Sequence, residues 1–313
     1  MARIRRKAAN GLRMLRAIAT NQVAGLWPRM YMRLAGQTGR GGGQASAAET
    51  AEYFLHCYRE LDSRLPKVDE STGHPVSGQD VLEYGPGSIP GLAMLMLAHG
   101  ARSVTCVDRF PLLQDNMASL DTLTALADRL DQQASQRLRE LTARLDGNGI
   151  PGCLTVVLHA RGLSCLNASC DLVVSRAVLE ETNDLPAISS DMAAALRPGG
   201  IAVHQVDLGG YGLCRDHPLD FLVPSPFLWQ LMFSNKCVPN RLRLGKYLEY
   251  AEQSGLRVLR VERDRVLPLD QVEAIRPRLW RDFRTLPAPD LACLSCWIVL
   301  EKPSPSARDA ANP

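Results

Sequence analysis

The sequence predicts an α/β fold in which helices cover both faces of a mostly parallel sheet. Three observations lead to this fold: strand-like and helix-like segments alternate from residue 80 onward, a glycine-rich turn joins the first strand to its helix, and the composition is globular. Of the 313 residues, 46% are hydrophobic and 22% are charged. These values exclude a disordered chain and a fibre, and no apolar run approaches the roughly 20 residues that cross a bilayer.

Residues 1–43 are predicted to form a basic amphipathic helical arm. Residues 1–40 contain nine Lys and Arg and no Asp or Glu, so the remaining chain holds 27 basic and 33 acidic residues, a net charge of −6. Apolar residues recur at spacings of three and four between Leu12 and Met30, as on one face of a helix. Two interpretations stay open: the helix covers the main domain, or it lies on an anionic membrane or a partner surface.

The cysteines and the charge of the main body indicate where the protein works. Nine scattered cysteines are typical of reduced thiols in a cytoplasmic protein and not of a disulfide framework. Cys293 and Cys296 lie close together in a strand-like run, which favours packing over a zinc site. The acidic body argues against a nucleic-acid partner. We therefore expect a cytoplasmic protein, whose arm is a candidate contact to the inner face of the membrane.

The predicted elements follow in order along the chain. A helix over about 48–64 and a Pro/Gly/Ser-rich linker over 66–78 precede the first strand. The predicted strands are Val81–Glu83, Ser103–Asp108, Leu154–His159, Asp171–Ser175, Ile201–Val206, 256–263 and Leu291–Leu300. The predicted helices cover 90–99, 112–146 (one helix or a hairpin), 184–196, 241–253 and 270–283.

Residues 209–240 break this alternation with glycines, prolines and aromatic residues. They are predicted to form a lid-like insertion on the substrate side of one domain spanning 44–302. A disordered tail is expected over 303–313, which is short and polar.

The segment Asp80–Ser88 carries the strongest functional signal. A strand ends at Glu83, and Gly85 and Gly87 make a tight turn in front of a helix. Asp108 ends the neighbouring strand, where a carboxylate can accept two hydrogen bonds from a ribose diol. A glycine-rich turn with a downstream acid is shared by dinucleotide sites and S-adenosylmethionine (SAM) sites.

Two details of this segment favour SAM. A dinucleotide fingerprint has a small residue at the sixth motif position, where this chain has Pro90. Pyrophosphate at the helix N-terminus would also be repelled by Glu83. A carboxylate there suits a cationic ligand, such as a sulfonium with an α-amino group.

The stretch from 80 to 110 resembles motif I and the following acidic loop of class I SAM-dependent methyltransferases. Asp171–Glu180 and Leu196–Gly200 are similar to the motifs of that family's fourth and fifth strands. The resemblance covers about residues 50–300. It implies a doubly wound, mostly parallel seven-stranded sheet, with Leu291–Leu300 as the last strand, inserted antiparallel. The string from 204 to 243 also resembles bacterial methyltransferases of small-molecule and glycan pathways.

The same resemblance implies a SAM site. Glu83 and the backbone of the glycine turn would meet the methionine end, Asp108 would hold the ribose, and residues 175–177 would line the floor under the methyl group. The implied cofactor-binding residues are Glu83, Gly85, Pro86, Gly87, Ser88, Asp108, Arg109, Ser175, Arg176 and Ala177.

Two positions depart from the family pattern. The third glycine of the turn is replaced by Ile89, although Gly91 follows. The acidic residue often found near the adenine is missing, because His159–Arg161 stands after the third strand. The adenine contacts therefore stay unassigned.

The acceptor is expected over the carboxyl ends of strands four and five. The predicted catalytic candidates are His204, Asp207 and His217, with Asp216 as a further orienting group. His204 is the preferred general base for a hydroxyl acceptor, although a lone histidine at a strand end is often structural. Strand alternation puts His204 and Asp207 on opposite faces, so one of the two would face the cofactor.

Two further predictions concern the acceptor side. Arg241 and Arg243 would bind an acidic acceptor or lie on a solvated helix face. A metal site is not predicted, because the His and Asp candidates are not arranged as the tighter acidic cluster of metal-dependent methyltransferases.

The predicted function is methyl transfer from SAM to a small-molecule or glycan-type acceptor, at oxygen. A methyltransferase-fold binding subunit without activity is an alternative, which the intact set of Glu83, Gly85, Gly87 and Asp108 argues against. A protein methyltransferase is the other alternative, and the sequence leaves it open.

Overall fold

A seven-stranded sheet organises the chain. The computed structural model describes residues 2–27, 30–31, 45–66, 74–110, 117–146, 151–210, 217–236 and 239–304. The strands are β1 (Asp80–Tyr84), β2 (Ser103–Asp108), β3 (Leu154–Leu158), β4 (Cys170–Arg176), β5 (Leu196–Asp207), β6 (Arg257–Val266) and β7 (Cys293–Glu301). Their order in the sheet is β3-β2-β1-β4-β5-β7-β6.

The strand pairing confirms the predicted mostly parallel sheet. β1 pairs in parallel with β2 and β4, β2 with β3, and β4 with β5. β7 lies between β5 and β6 and runs antiparallel to both, so the prediction of an inserted last strand is also confirmed. The chain reverses its direction of strand addition between β1 and β4, and ligands of open α/β sheets bind at such a switch point.

Helices flank both sides of this sheet. They are α1 (Ala2–Leu26), α2 (Ala47–Asp62), α3 (Gly91–Ala98), α4 (Met117–Ala127), α5 (Gln132–Asp146), α6 (Leu185–Ala195), α7 (Pro226–Phe233), α8 (Leu244–Gln253), α9 (Leu269–Ile275), α10 (Arg281–Arg284) and α11 (Ala288–Ala292). One apolar core joins the sheet to α2, α3, α4 and α5, and we call this side of the sheet the α2 face. A second core joins it to α6 and α8, and we call this side the α6 face.

The start of α2 and its contact with α3 follow from the sequence. Ser46 and Glu49 form a capping box, in which each side chain accepts a hydrogen bond from the other's backbone N–H. Gly91, the first residue of α3, lies against the ring of Phe54, and a Cβ atom there would come within 2.3 Å of that ring. Gly91 therefore permits the close packing of α2 on α3 at the turn where Ile89 replaces the family's third glycine.

Two helix predictions needed correction or resolution. The segment predicted as one helix or a hairpin is, over its described residues, the helix pair α4 and α5. The single helix predicted over 270–283 is wrong: α9 ends at Ile275, a 3₁₀ turn covers Arg276–Arg278, and α10 starts at Arg281. Pro277 in that turn lacks the N–H that would continue the α-helix.

The arm is helical and docks on the insertion. Asn21 on α1 is buried, and its side-chain amide donates to the carbonyl oxygens of Gln230 and Leu231 on α7. The Lys236 ammonium donates to the Ala17 carbonyl at 2.7 Å and to the Thr20 hydroxyl at 2.6 Å. Among the described residues, no helix is both long and apolar enough to cross a membrane.

Parts of the arm, insertion and tail lie outside the described residues. These parts are residues 1, 28–29, 32–44, 211–216, 237–238 and 305–313. The candidate Asp216 and the predicted disorder of most of the tail therefore fall outside the structure's description.

Candidate functional site

The glycine turn, Asp108 and the end of β4 meet at the carboxyl edge of the sheet. Tyr84, the last residue of β1, pairs with Val107 on one side and with Ser175 on the other. The Gly85 N–H donates to the Val107 carbonyl oxygen at 2.8 Å. Adjacent strands lie about 4.8 Å apart. The sequence motifs that were predicted to form one site therefore come together.

Three charged side chains of this edge belong to the α2 face. Alternation along each strand places Glu83 with Val81, Asp108 with Cys106, and Arg176 with Val174, and these apolar neighbours all pack in the core of the α2 face. Glu83 on β1 pairs with Val174 on β4, and Arg176 lies two residues beyond Val174. Two carboxylates and one guanidinium thus share one side of the sheet at the switch point.

Glu83 is the most perturbed of these groups. Its side chain is buried, and burial raises the pKa of Glu83 to about 8, against the smaller lowering effect of hydrogen bonds from the Cys106 thiol and the Ala93 N–H. Within the part of the chain that the structure describes, Glu83 has no ion pair with Lys, Arg or His. A buried carboxyl group without a cation is suited to an incoming positively charged ligand.

The glycine turn adopts a conformation that requires its glycines. Gly85 and Gly87 have φ of +65° and +74°, in the left-handed region. A Cβ atom on Gly85 would also lie 2.4 Å from Val178 Cγ2. Pro86 and Ser88 are buried within the turn. The backbone can therefore approach a ligand at Gly85 without a side chain between them.

Asp108 lies at the end of β2 with Arg109 beside it. The Phe110 N–H donates to Asp108 Oδ1 at 2.9 Å, and the Arg109 guanidinium lies over the Phe110 ring with its Cζ 4.8 Å from the centroid. Burial raises the pKa of Asp108, which its backbone hydrogen bonds and Arg109 partly offset. Asp108 is thus a partly buried hydrogen-bond acceptor, as a ribose contact requires.

The structure does not support His204 as a general base. His204 is fully buried on the α6 face, its Nδ1 is 2.7 Å from the Ser175 hydroxyl, and its Nε2 is 3.2 Å from Met192 Sδ on α6. Burial lowers the pKa of His204 to about 3. An imidazole with both nitrogens engaged inside the core has no route to an acceptor oxygen.

The hydrogen bond between Ser175 and His204 also fixes the orientation of the Ser175 side chain. This side chain points away from the α2 face and binds His204, so the floor predicted from residues 175–177 is divided. Arg176 faces the α2 side, and Ala177 is exposed with φ of +51°. Only the backbone of Ser175 remains at the strand edge for a cofactor.

Asp207 and His217 are held by other groups. Asp207 lies on the α2 face, and its Oδ1 accepts from the Gly209 N–H at 2.9 Å and from Arg265 Nη2 at 2.8 Å. His217 Nδ1 accepts from the Leu219 N–H at 3.1 Å. Both predicted candidates thus have local structural contacts, and within the described part of the chain neither of them contacts His204.

Arg241 and Arg243 are neither acceptor ligands nor solvated, so both interpretations of them are wrong. Both residues are buried, at 5% and 2% exposure. The Arg243 guanidinium donates to the carbonyl oxygens of Leu208, Leu291 and Cys293, and Arg241 donates to that of Pro224. Main-chain oxygens offset part of the cost of burying these cations, although Arg241 Nε and Nη1 and Arg243 Nε have no hydrogen-bond partner among the described residues.

A cluster that sequence reasoning missed surrounds Arg176. Glu60 Oε2 accepts from Arg176 Nη1 at 2.7 Å and lies 3.2 Å from His56 Nε2. The Arg176 Cζ is 5.6 Å from the Trp297 ring centroid and 6.0 Å from that of Tyr53. We call Tyr53, His56, Glu60, Arg176 and Trp297 the Arg176 cluster.

The polar side chains of this cluster are partly accessible. The side chains of His56, Glu60 and Arg176 are 63%, 25% and 23% exposed. The i, i+4 spacing of His56 and Glu60 was a signal that the two side chains lie on one face of α2. Their contact with Arg176, 116 positions away, had no sequence signal.

The loop after β3 carries His159 and Arg161 at the place where the family often has an acidic residue. His159 Nδ1 accepts from the N–H groups of Arg161 and Leu163, and Arg161 pairs with Asp184 at the start of α6. These residues close the loop after β3 onto α6.

A family model identifies the family of this chain. A family model described as a methyltransferase domain matches residues 47–261. No curated protein sequence matches the chain. Similar solved structures include an S-adenosylmethionine-dependent methyltransferase from Mesorhizobium loti, with 18% identity, covering 80% of this chain and 97% of that one, at a TM-score of 0.44.

Another similar structure is phosphoethanolamine N-methyltransferase 2 from Haemonchus contortus in complex with S-adenosyl-L-methionine. It has 15% identity, covers 84% of this chain and 61% of that one, and has a TM-score of 0.45.

Proposed function

The chain belongs to the methyltransferase-domain family, and from this premise we propose that it transfers a methyl group from SAM to a small-molecule or glycan-type acceptor, at oxygen. SAM is the methyl donor: its sulfonium carries an electrophilic methyl group and leaves as a neutral thioether. The protein's tasks are to hold the donor, to align the acceptor and to remove the acceptor's proton.

The observation that carries this proposal is the buried carboxyl group of Glu83 beside the left-handed turn at Gly85 and Gly87. Glu83 would pair with the cationic methionine end of SAM. That cation would stabilise the carboxylate, which burial has removed from water. Asp108, on the same face of the sheet, would accept the ribose hydroxyls. Pyrophosphate would instead meet two acids at this edge, which disfavours a dinucleotide.

The Arg176 cluster supports an oxygen acceptor. Glu83 on β1 pairs with Val174 on β4. Arg176 is two residues beyond Val174, so it lies roughly 7 Å farther along the same face. Its guanidinium offers donors and Glu60 offers acceptors, a combination that a hydroxylated molecule satisfies. Tyr53, 40% exposed, adds an aromatic surface against which a sugar-like ring can lie.

We assign the role of base to the His56–Glu60 pair. Glu60 Oε2 lies 3.2 Å from His56 Nε2, and a carboxylate in this position orients a histidine. All six histidines lie in the described part of the chain, and among them only His56 contacts Glu60. The base therefore moves from β5, where the sequence predicted it, to α2.

Calorimetry with SAM and S-adenosylhomocysteine tests the cofactor part of the proposal. We expect micromolar-range binding in the wild-type protein, and a loss of at least about 100-fold in Asp108→Ala, because two charge-assisted hydrogen bonds are removed. Asp128→Ala is the matched control, since Asp128 is an exposed acid that pairs with Arg139. Binding of NADH without binding of SAM would overturn the assignment.

We further propose that the arm contacts an anionic membrane surface. Leu12, Leu15 and Leu26 on α1 are each at least 66% exposed and fall within about 60° of one another around the helix. They lie opposite the side that docks on α7 through Asn21. Nine basic residues in 1–40 supply the charge.

Vesicle sedimentation tests the arm. Wild-type protein should bind vesicles that contain phosphatidylserine, and less so at high salt, while the triple variant Leu12→Ser, Leu15→Ser, Leu26→Ser should not. SAM affinity should be equal in both proteins. If the triple variant binds the vesicles as wild type does, or melts well below it, the arm is a structural cover and the membrane contact is refuted.

A further inference from the structure

Three potential metal ligands converge at the amino-terminal edge of the sheet, opposite the proposed SAM site. His74 lies in the connection before β1, His99 follows the last residue of α3, and Asp131 precedes α5. One ligand atom from each of the three lies within 4.8 Å of the other two. The Gly78 N–H donates to the Gly100 carbonyl oxygen, which holds the first two segments together.

The spacing of the two imidazoles fits a tetrahedral ion. His99 Nδ1 and His74 Nε2 are 3.1 Å apart. Two nitrogens at about 2.0–2.1 Å from a tetrahedral Zn²⁺ are roughly 3.3–3.4 Å apart. The separation of the two nitrogens is therefore within a few tenths of an ångström of that between two adjacent zinc ligands, and a ring reorientation would turn both toward one ion.

The Asp131 carboxylate is oriented by its own backbone contacts. Its Oδ1 accepts hydrogen bonds from the Ala134 and Gln133 N–H groups, each at 3.0 Å. Both N–H groups donate to Oδ1, so the second oxygen remains for a cation.

A second observation points to a ligand at the same place. Tyr58 is 5% exposed and its ring stacks on His99 with centroids 4.6 Å apart, yet its buried hydroxyl has no hydrogen-bond partner among the described residues. Asp62 Oδ1 is likewise buried and unpartnered within the described part of the chain. Asp62 also interacts electrostatically with both Tyr58 and His74. Buried polar atoms of this kind are normally satisfied.

We propose that His74, His99 and Asp131 bind one Zn²⁺, with water or Asp62 completing the tetrahedron. The choice of zinc follows from the donor set, two imidazole nitrogens 3.1 Å apart and a carboxylate oxygen within 4.8 Å of them. The ion joins the connection before β1 to α3 and α5, and Asp62 would add α2. It is a structural clamp at the edge of the sheet away from Glu83, and it takes no part in methyl transfer.

Zinc titration of the full-length chain, without a histidine tag and after dialysis against a chelator, tests the clamp. We expect one equivalent of Zn²⁺ to bind and to raise the melting temperature. His74→Gln should weaken binding by about 100-fold or more, since even outer-sphere partners of a metal ligand are worth 10–100-fold. Asp131→Asn should do the same while it keeps the cap of α5, because Asn caps helices as well as Asp does.

His159→Gln is the matched control, because His159 lies in the loop after β3, where its Nδ1 accepts from the N–H groups of Arg161 and Leu163. It should bind zinc as wild type does. Co²⁺ should give the visible absorption of a tetrahedral complex in wild type and not in His74→Gln. SAM affinity should be the same with and without zinc in all four proteins.

Two results would overturn the clamp. Absence of stoichiometric zinc binding would leave only a His74–His99 hydrogen bond, and equal zinc affinity in the wild type and His74→Gln would move the metal elsewhere. A zinc-dependent SAM affinity would refute the purely structural role. None of these results bears on the proposed methyl transfer, because the SAM titration is read separately.

Discussion

The two faces of the sheet differ at the same strand ends. On the α2 face, Glu83, Asp108 and Arg176 are ionisable groups at the carboxyl edge of the sheet. On the α6 face, one residue away along the same strands, Tyr84 and Ser175 are buried neutral groups with hydrogen-bond partners. Neighbouring residues of one motif therefore have different tasks, because strand side chains alternate between faces.

The contacts on the α6 face are those of a packed interior. The Tyr84 hydroxyl donates to Asp191 on α6, and that carboxylate also accepts from the backbone N–H groups of Ser164 and Cys165. The Ser175–His204 pair crosses from β4 to β5. These hydrogen bonds join strands to α6 and to the loop after β3, so we expect changes on this face to alter stability first.

The largest effect is expected from Glu83→Gln. The amide keeps the shape of the side chain but cannot carry the negative charge, so SAM affinity should fall by about 100-fold, the upper range for a hydrogen bond to a charged group. Tyr84→Phe, the next residue on the opposite face, should leave SAM affinity within about threefold and lower stability by about 1 kcal/mol. Calorimetry and thermal melts measure both quantities.

The comparison of faces would fail if the two variants behaved alike. Equal loss of SAM affinity in Tyr84→Phe would mean that the α6 face also supports the cofactor. Unchanged affinity in Glu83→Gln would remove the buried carboxyl group from SAM binding.

The second-largest effect is expected on turnover in Arg176→Met. The variant keeps the aliphatic part of the side chain and removes the pairing with Glu60, so turnover should fall by roughly 10- to 100-fold through loss of acceptor positioning. SAM affinity should remain near the wild-type value. Arg257→Met is the matched control, because Arg257 forms an exposed ion pair with Glu301.

Radiolabel transfer from SAM, with an acceptor found by metabolite screening, measures both variants. A loss of SAM binding in Arg176→Met that matches its loss of turnover would contradict the separation into donor and acceptor groups. Wild-type turnover would exclude the Arg176 cluster from the acceptor site.

The parts of the site that the sequence predicted are local ones. The strand end at Glu83, the glycine turn and Asp108 lie within one β-turn-α-β stretch, where spacing determines what meets. Alternation correctly separated His204 from Asp207, but it could not tell which face carried the cofactor edge. That choice depends on α2, which joins the sheet through contacts between residues more than 100 positions apart, such as Glu60 with Arg176.

Burial of charge was the other property that the sequence concealed. Arg243 lies at the start of the helix predicted over 241–253. The many polar residues of such a helix usually indicate solvent exposure. In the structure its guanidinium is surrounded by carbonyl oxygens from the end of β5 and the segment that leads into β7. Those carbonyl oxygens come from Leu208, Leu291 and Cys293, and no spacing rule brings them to Arg243.

A smaller effect concerns the proton on Glu83. With a pKa of about 8 in the free protein, Glu83 is mostly protonated at pH 7. A cationic ligand stabilises the carboxylate, so SAM binding should release up to about one proton at pH 7 and strengthen as pH rises from 6 to 8. Calorimetry in two buffers of different ionisation enthalpy counts this proton, and Glu83→Gln should not release it.

The sign of this linkage is open to direct contradiction. No proton release at pH 7, with SAM affinity constant between pH 6 and pH 8, would mean that Glu83 is already ionised before the ligand arrives, and proton uptake would contradict the linkage outright. The release should be unaffected by Tyr84→Phe, which changes only the α6 face.

The smallest effect on turnover is expected from His204→Phe, and it distinguishes the two faces most directly. A lost general base lowers turnover by about 100-fold or more, whereas a buried structural histidine should leave turnover within about threefold. Stability should fall by about 1–3 kcal/mol, because the Ser175 hydroxyl loses its partner inside the core. The double variant Ser175→Ala, His204→Phe should recover part of that loss, since removing both partners leaves no unsatisfied group.

The acid sensitivity of the His204→Phe variant should change as well. A folded-state pKa of about 3 means that unfolded chains bind more protons between pH 6.5 and pH 3, so wild-type stability falls as pH drops through this window and the variant lacks that share of the fall. Turnover that collapses in a variant still folded at the assay temperature would return the base to the α6 face, and the division of the sheet into a chemical and a structural side would be wrong.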